Sequence, residues 1–188
     1  RDDLCAEAIR LARLLAELMP DEPEVWGLLA LLLLNESRRP ARTAPDGSIV
    51  LLRDQDRRRW DAALVAEGQG IVRACLRRDQ PGPYQLQAAI GAVHSDASTA
   101  ADTDWRQIVA LYDQLLAHLP SAVVALNRAV AVAEVLVDSG RVVPGLTVGD
   151  DGRARSWWWP LPAAEDRARL RELLTDTTPQ APREAAEA

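Results

Sequence analysis

The chain has 188 residues, 48% of them hydrophobic, and a formal charge of -6. That is enough apolar material for one compact domain or two small ones with a real core. An acidic chain whose 22 basic residues are all arginine is a poor general binder of phosphate backbones, so any nucleic-acid contact must come from a local patch.

The first residues, RDDLCAEAIRLARLLAELM, enter an amphipathic helix at once, with Arg1 where a complete chain would carry methionine. The expectation is that the sequence is a piece of a longer protein. Residues 4–19 place Leu4, Ala8, Leu11, Leu15 and Leu18 on one face; Asp2 and Asp3 favour the N-terminus, and Pro20 ends the helix. Pro23 then stands at a first-turn position before EVWGLLALLLLNE, which is apolar nearly all round, the pattern of a helix buried between neighbours. From Ser37 to Arg53 the pattern breaks around Pro40 and the turn Pro45-Asp46-Gly47, predicting a loop with one short strand near Ile49 to Leu52. A third helix is predicted from near Asp54, with Trp60, Leu64, Ile71, Cys75 and Leu76 as its apolar stripe. A fourth is predicted from about Pro83 to His94.

After the polar loop SDASTAADTD come DWRQIVALYDQLLAHLP and SAVVALNRAVAVAEV. Trp105, Ile108, Leu111 and Tyr112 in the first, a proline at the turn, and Ala125 and Ala129 in the second reproduce the packing of a tetratricopeptide helix pair. The predicted fold class is therefore all-α, with TPR-like antiparallel helix pairs stacked as a short solenoid over residues 1–138. Residues 139–174 form an irregular segment with one predicted helix over 163–174, and 175–188 read as a disordered tail. The run Trp157 to Trp159 cannot share one helix face; it reads either as a plug over the solenoid end or as a partner surface.

Candidate chemistry is sparse. The chain lacks a Gly-x-Ser-x-Gly elbow, a phosphate loop, a dinucleotide-binding fingerprint, a CxxC pair and an HExxH motif, so no metal or cofactor is expected. Cys5 and Cys75 both fall in apolar helical patterns and read as buried free thiols, which suits a reducing cytoplasm. The apolar run Leu28 to Leu34 is too short to cross a bilayer and no signal peptide opens the chain. His94 and His118 stand at helix ends, where an imidazole pairs with free carbonyls. Asp102 and Asp104 follow His94 closely enough to frame a hydrolase-like site, while Asp104 also reads as the N-cap of the helix starting at Trp105.

One local patch is basic. From Ser37 to Trp60, arginines 38, 39, 42, 53, 57, 58 and 59 face aspartates 46, 54 and 56, a balance of +4. Asp54 is placed to cap a helix, and Asp54 with Arg58 and Arg57 with Asp61 are i,i+4 neighbours. Two readings stay open: a capped, salt-bridged helix start anchored by Trp60, and a docking surface for protein or nucleic acid.

Together, DLCAEAIRLARLLAELMPDEPEVWGLLALLLL, LLRDQDRRRWD, GPYQLQAAIGAVH, DTDW and LYDQLLAHLPSAVVALNRAVAVAE resemble the long C-terminal extension of one group of bacterial extracytoplasmic-function (ECF) RNA polymerase sigma factors. The resemblance covers about residues 2–134 with the motifs in the family's order. It implies a TPR-like regulatory domain without enzymatic activity, which modulates transcription initiation through contacts with sigma-factor N-terminal domains or RNA polymerase. Promoter DNA would be met only through sigma domains outside this chain, and no membrane partner is implied. The motif residues that carry over are Asp54, Asp56, Arg57, Trp60 and Asp61, then Tyr84, Gln85, Gln87 and His94, then Asp104, Trp105, Tyr112, Asn127 and Arg128; Arg58 and Arg59 join them from the basic patch as candidate partner contacts. The sequence departs from the family pattern after about Val135, as a divergent end or a shifted reading frame would produce. The competing expectation is a free-standing TPR-like adaptor that binds a peptide or partner helix.

Overall fold

The computed structural model describes residues 2–138, 145–148 and 154–157. The chain divides into two compact units, 1–119 and 120–188. The first unit holds α1 (Asp2–Leu18), α2 (Pro23–Ser37), α3 (Ala62–Arg78), α4 (Pro83–Asp96) and α5 (Trp105–His118). In the second, α6 (Ala122–Asp138) is followed by two short strands, β1 (Gly145–Val148) and β2 (Ala154–Trp157). The strands pair antiparallel, with Gly145 opposite Trp157 and Val148 opposite Ala154. The predominantly helical expectation holds, and the hairpin is an element the irregular segment did not announce. The predicted helix at 163–174, Trp158, Trp159 and the tail at 175–188 lie outside the described residues.

In the first unit α2 is the central element. Pro23 sets its first turn, and Val25, Leu29, Ala30, Leu33 and Leu34 are buried around its circumference. It packs against α1, α3 and α4, and α4 packs in turn against α3 and α5. Two clusters form the core. Ala12, Ala16, Val25, Leu29 and Leu33 join α1 to α2, with Leu64 and Ile71 of α3 against them. Ala30, Leu34, Val72, Ala88, Ala89 and Ala92 join α2, α3 and α4, with Leu111 of α5 alongside. Alanines at these contacts let helix axes approach closely. At Gly27 the approach is closer still: a Cβ there would lie 2.6 Å from the backbone nitrogen of Gln85 on α4.

The structure corrects several sequence expectations. The leucine face of α1 is turned to solvent: Leu4 is 67% and Leu18 71% exposed, with Leu11 and Leu15 exposed between them. The helix docks instead through Ala12 and Ala16, because small side chains bring its backbone nearer to α2 than leucines would. Secondly, α3 begins at Ala62 rather than near Asp54, and its N-cap is Asp61, whose carboxylate accepts from Ala63 N at 2.9 Å and Leu64 N at 3.1 Å. Residues Leu52–Asp54 and Arg57–Arg59 are 3-10 turns separated by extended backbone. The i,i+4 geometry assumed for Asp54–Arg58 and Arg57–Asp61 does not exist there, and Arg58 pairs with Asp56 at 3.0 Å. Thirdly, Cys75 is buried but Cys5 is exposed. Finally, Leu76 leaves the apolar stripe and is exposed.

The loop from Ser37 to Arg53 carries a single bridge, Thr43 to Ile49, in place of a strand. Its turn forms as the residues predict, with Gly47 at φ 85 and Asp46 accepting from Ser48 N at 2.9 Å and Ser48 Oγ at 2.7 Å.

Candidate functional site

Arg57 organises the basic loop. Asp56 holds the short turn that presents it by accepting from Arg58 N at 3.1 Å. The Arg57 guanidinium then reaches across to the C-terminal end of α4. Nη1 donates to the His94 carbonyl and, at 2.8 Å, to the Ala97 carbonyl, while Nη2 donates to Thr103 Oγ1 at 3.1 Å. The last carbonyls of a helix have no partner within it, and a cation there also meets the negative end of the helix dipole. Arg57 further stacks on Trp60, its Cζ 5.2 Å from the ring centroid. Trp60 is buried, although it lies two residues before α3 rather than on it.

His94 sits against this cluster. Its ring meets Trp105 edge to face at 5.2 Å and 77°. Burial, reinforced by Arg38 and Arg57, pushes its pKa down to about 4, so the imidazole is neutral at pH 7. Nδ1 is buried and makes no hydrogen bond, against the expectation that the ring pairs with helix-end carbonyls. Burial also brings Arg38 down to about 10, with Arg42 and Arg57 adding to the effect. Arg38 and Arg42 both bond to Asn35, through its side chain and its carbonyl respectively.

The two aspartates considered as partners of His94 are engaged locally. Asp104 caps α5 by accepting from Gln107 N at 3.0 Å, as the sequence predicts. Asp102 accepts from Thr99 N at 3.0 Å and Thr99 Oγ1 at 2.9 Å. Neither is hydrogen-bonded to the imidazole, so the acid–base pair envisaged from spacing does not assemble. Among the described residues no group of three or more His, Cys, Asp or Glu is placed to hold a metal ion.

A second polar knot ties α2 to α4. The Glu24 carboxylate accepts from Tyr84 N at 2.9 Å, Gln85 N at 3.2 Å and Gln85 Nε2 at 3.1 Å. It thereby satisfies two free N–H groups at the start of α4, and Gly82 admits it closely, since a Cβ there would lie 2.4 Å from Glu24 Cδ. Gln85 Nε2 also donates to the Gln80 carbonyl at 2.7 Å. Gln87 donates to the Pro83 carbonyl of its own helix at 3.1 Å.

The structure thus sorts the candidate partner residues. Arg57, Trp60, His94 and Trp105 come together in one cluster, with Asp56 and Asp61 holding the backbone on either side. Gln85 is buried in the Glu24 knot, while the Tyr84 side chain is exposed. Tyr112 is half-buried on α5, and burial pushes its phenol pKa up. Asp54, Arg58 and Arg59 are exposed. Asn127 and Arg128 belong to α6 in the second unit, Asn127 exposed and Arg128 half-buried. Sequence reasoning missed Glu24, Thr103 and the special position of Arg38. Glu24 reads as an ordinary first-turn acid of α2, and nothing local marks its partners 60 and 61 residues away.

Residues 1–76 match the model of a family of unknown function, DUF6596. The chain is 52% identical over 132 residues to an uncharacterized protein of Rhizobium meliloti (strain 1021), a stretch that covers 70% of this chain and 31% of that protein. The chain therefore spans about a third of the length of the curated relative it matches. No solved structure matches it.

Proposed function

We propose that this chain is the TPR-like regulatory extension of an ECF sigma factor, a non-enzymatic cytoplasmic module that modulates transcription initiation through contacts with sigma domains or RNA polymerase. The observation that carries the reading is the face of α1 formed by Leu4, Leu11, Leu15 and Leu18, which is apolar, ordered on a helix and turned to solvent. An exposed leucine face of this kind supports docking of another polypeptide. Three of the motifs that carry the resemblance also meet in one place, since Arg57 of LLRDQDRRRWD bonds to His94 of GPYQLQAAIGAVH and to Thr103 beside Trp105 of DTDW. This accords with a shared scaffold built around those residues. The contacts of α2 with α3 and α4, and of α4 with α3 and α5, support the TPR-like description, because stacked helix pairs pack each helix on the next and on the next but one. A relative about three times as long as the shared stretch is compatible with a module that works beside further domains. No helix among the described residues is long and apolar enough to cross a membrane.

The test adds the chain to separated sigma domains and polymerase and measures promoter-dependent transcription together with direct binding. Altered transcription is expected, and it should be lost when Leu4, Leu11, Leu15 and Leu18 are replaced by glutamine. Absence of both binding and effect would remove the reading.

A further inference from the structure

Helix α4 packs against both α3 and α5, whereas α3 and α5 have no contact of that extent with each other. Between them lies a cavity of about 140 Å³ that opens to solvent. Its walls are Val72 and Cys75 from α3, Leu86 and Ala89 from α4, and Leu111 from α5. Val72 and Ala89 belong to the core cluster of α2, α3 and α4, and Leu111 packs against that cluster. The cavity is therefore a gap at the edge of the core, kept open by the small side chain of Ala89. Atoms lining such a gap lack contacts on one side, so an apolar group that filled it would gain dispersion and remove apolar surface from water.

The lining selects the occupant by what it lacks. Burial pushes the Cys75 thiol up, so the sulfur is neutral at pH 7 and forms part of the apolar wall. Charges of both signs stand nearby: Arg78 lowers the thiol pKa, Glu24 raises it, and Asp79 is part of the lining. Neither a cation nor an anion is selected, and a charge carried between these apolar walls would lose its hydration. Gln85 Nε2 is already engaged with Glu24 and with the Gln80 carbonyl. Among the described residues, the buried side-chain polar atoms without a partner lie on Arg38, Gln55, Arg57, Trp60 and His94, none of which lines the cavity. No buried side-chain donor or acceptor in the lining therefore awaits a polar ligand.

Size completes the selection. The volume is close to that of an engineered protein cavity of about 150 Å³ that binds benzene, so the space holds a group of about six heavy atoms. It admits one side chain at most, and no strand edge borders it to pair with a peptide backbone, which favours a free molecule over a partner's side chain.

We propose that this cavity binds a neutral apolar molecule of about benzene's size, which bridges α3 and α5 and completes the core between Val72, Ala89 and Leu111. The inference goes beyond the transcription reading and does not rest on it.

The experiment titrates benzene into the full chain and follows the methyl NMR signals of Val72, Leu86 and Leu111. Saturating shifts at these methyls are expected, together with a rise in melting temperature, because the ligand binds the folded state alone. Benzylammonium and benzoate should both bind at least about tenfold more weakly, since each brings a charge to apolar walls. Ala89→Leu should fill the cavity and abolish benzene binding, with circular dichroism reporting its folding. Leu111→Ala, at a half-buried wall residue, should enlarge the cavity and shift the preference from benzene toward naphthalene. Unmoved methyls, equal binding of either charged probe, benzene binding retained in folded Ala89→Leu, or an unchanged preference in Leu111→Ala would each overturn the site. A capped phenylalanine amide that bound as tightly as benzene would overturn its assignment to a free molecule.

Discussion

Helices α1 and α2 are both rich in leucine and follow one another across a tight turn, yet they use their leucines in opposite ways. In α2 the apolar residues run around the whole circumference, and Leu33 and Ala30 are 0% exposed. In α1 the leucines form the cleaner stripe, but that stripe faces solvent while Ala12 and Ala16 make the contact. Periodicity reports which residues share a face of a helix. Which face is covered depends on how near the neighbouring backbone can come, and alanine wins over leucine where two axes approach closely. The same contrast recurs inside the arginine triplet: Arg57 reaches the end of α4, whereas Arg58 stays on the surface beside Asp56.

The contrast can be broken most directly in the core. Leu33→Ala removes a fully buried side chain and should cost about 3–4 kcal/mol, while Leu11→Ala on the exposed face of α1 should change stability by under about 0.5 kcal/mol. Urea unfolding of the two variants gives both values, and equal losses would mean that the α1 stripe is covered after all.

A second measurement concerns His94. The unfolded imidazole takes up its proton near 6.5, the folded one only near about 4. Above 6.5 both states are neutral and the full stability is present. As pH falls from 6.5 toward 4 the unfolded state binds the proton first, and stability declines by up to about 3 kcal/mol. His94→Leu should flatten this part of the profile. Carboxylates held below their usual range, such as Asp46 and Asp56, lose their contribution at lower pH in both proteins, so the difference between the two profiles isolates the histidine.

The third and smallest effect sharpens the arginine triplet. Arg57→Gln leaves the Ala97 carbonyl and Thr103 without their charged donor and should cost on the order of 2 kcal/mol. Arg58→Gln with Arg59→Gln should stay within about 0.5 kcal/mol, as expected of exposed ion pairs. If the double variant nevertheless lost partner binding with its melting temperature intact, the exposed arginines would be docking contacts and Arg57 their structural base.

Much of the helical framework was legible. Pro20, Pro23, the turn before Pro83, and Asp104 mark helix boundaries by local chemistry, and the structure places them there. The start of α3 is ambiguous in the sequence because Asp54, Asp56 and Asp61 compete as caps within a short stretch. Asp61 is the one that accepts from Ala63 N and Leu64 N, and its own N–H donates to the Ser37 carbonyl at 2.9 Å across the loop. Arg57, Trp60, His94 and Trp105 stand in separate stretches of the sequence, and only the fold brings them together. The Glu24 knot was not legible, because it depends on the distance between helices far apart in sequence.

By itself, then, the sequence determined what local forces determine: the acidic, lysine-free composition, the helix stops set by proline, the Asp46 turn, and the apolar character of α2. Tertiary structure decided which leucines are buried, which aspartate caps α3, and why His94 is neutral. These are properties of contacts between distant segments, and their energies depend on burial and on separations of a few ångströms that no periodicity encodes.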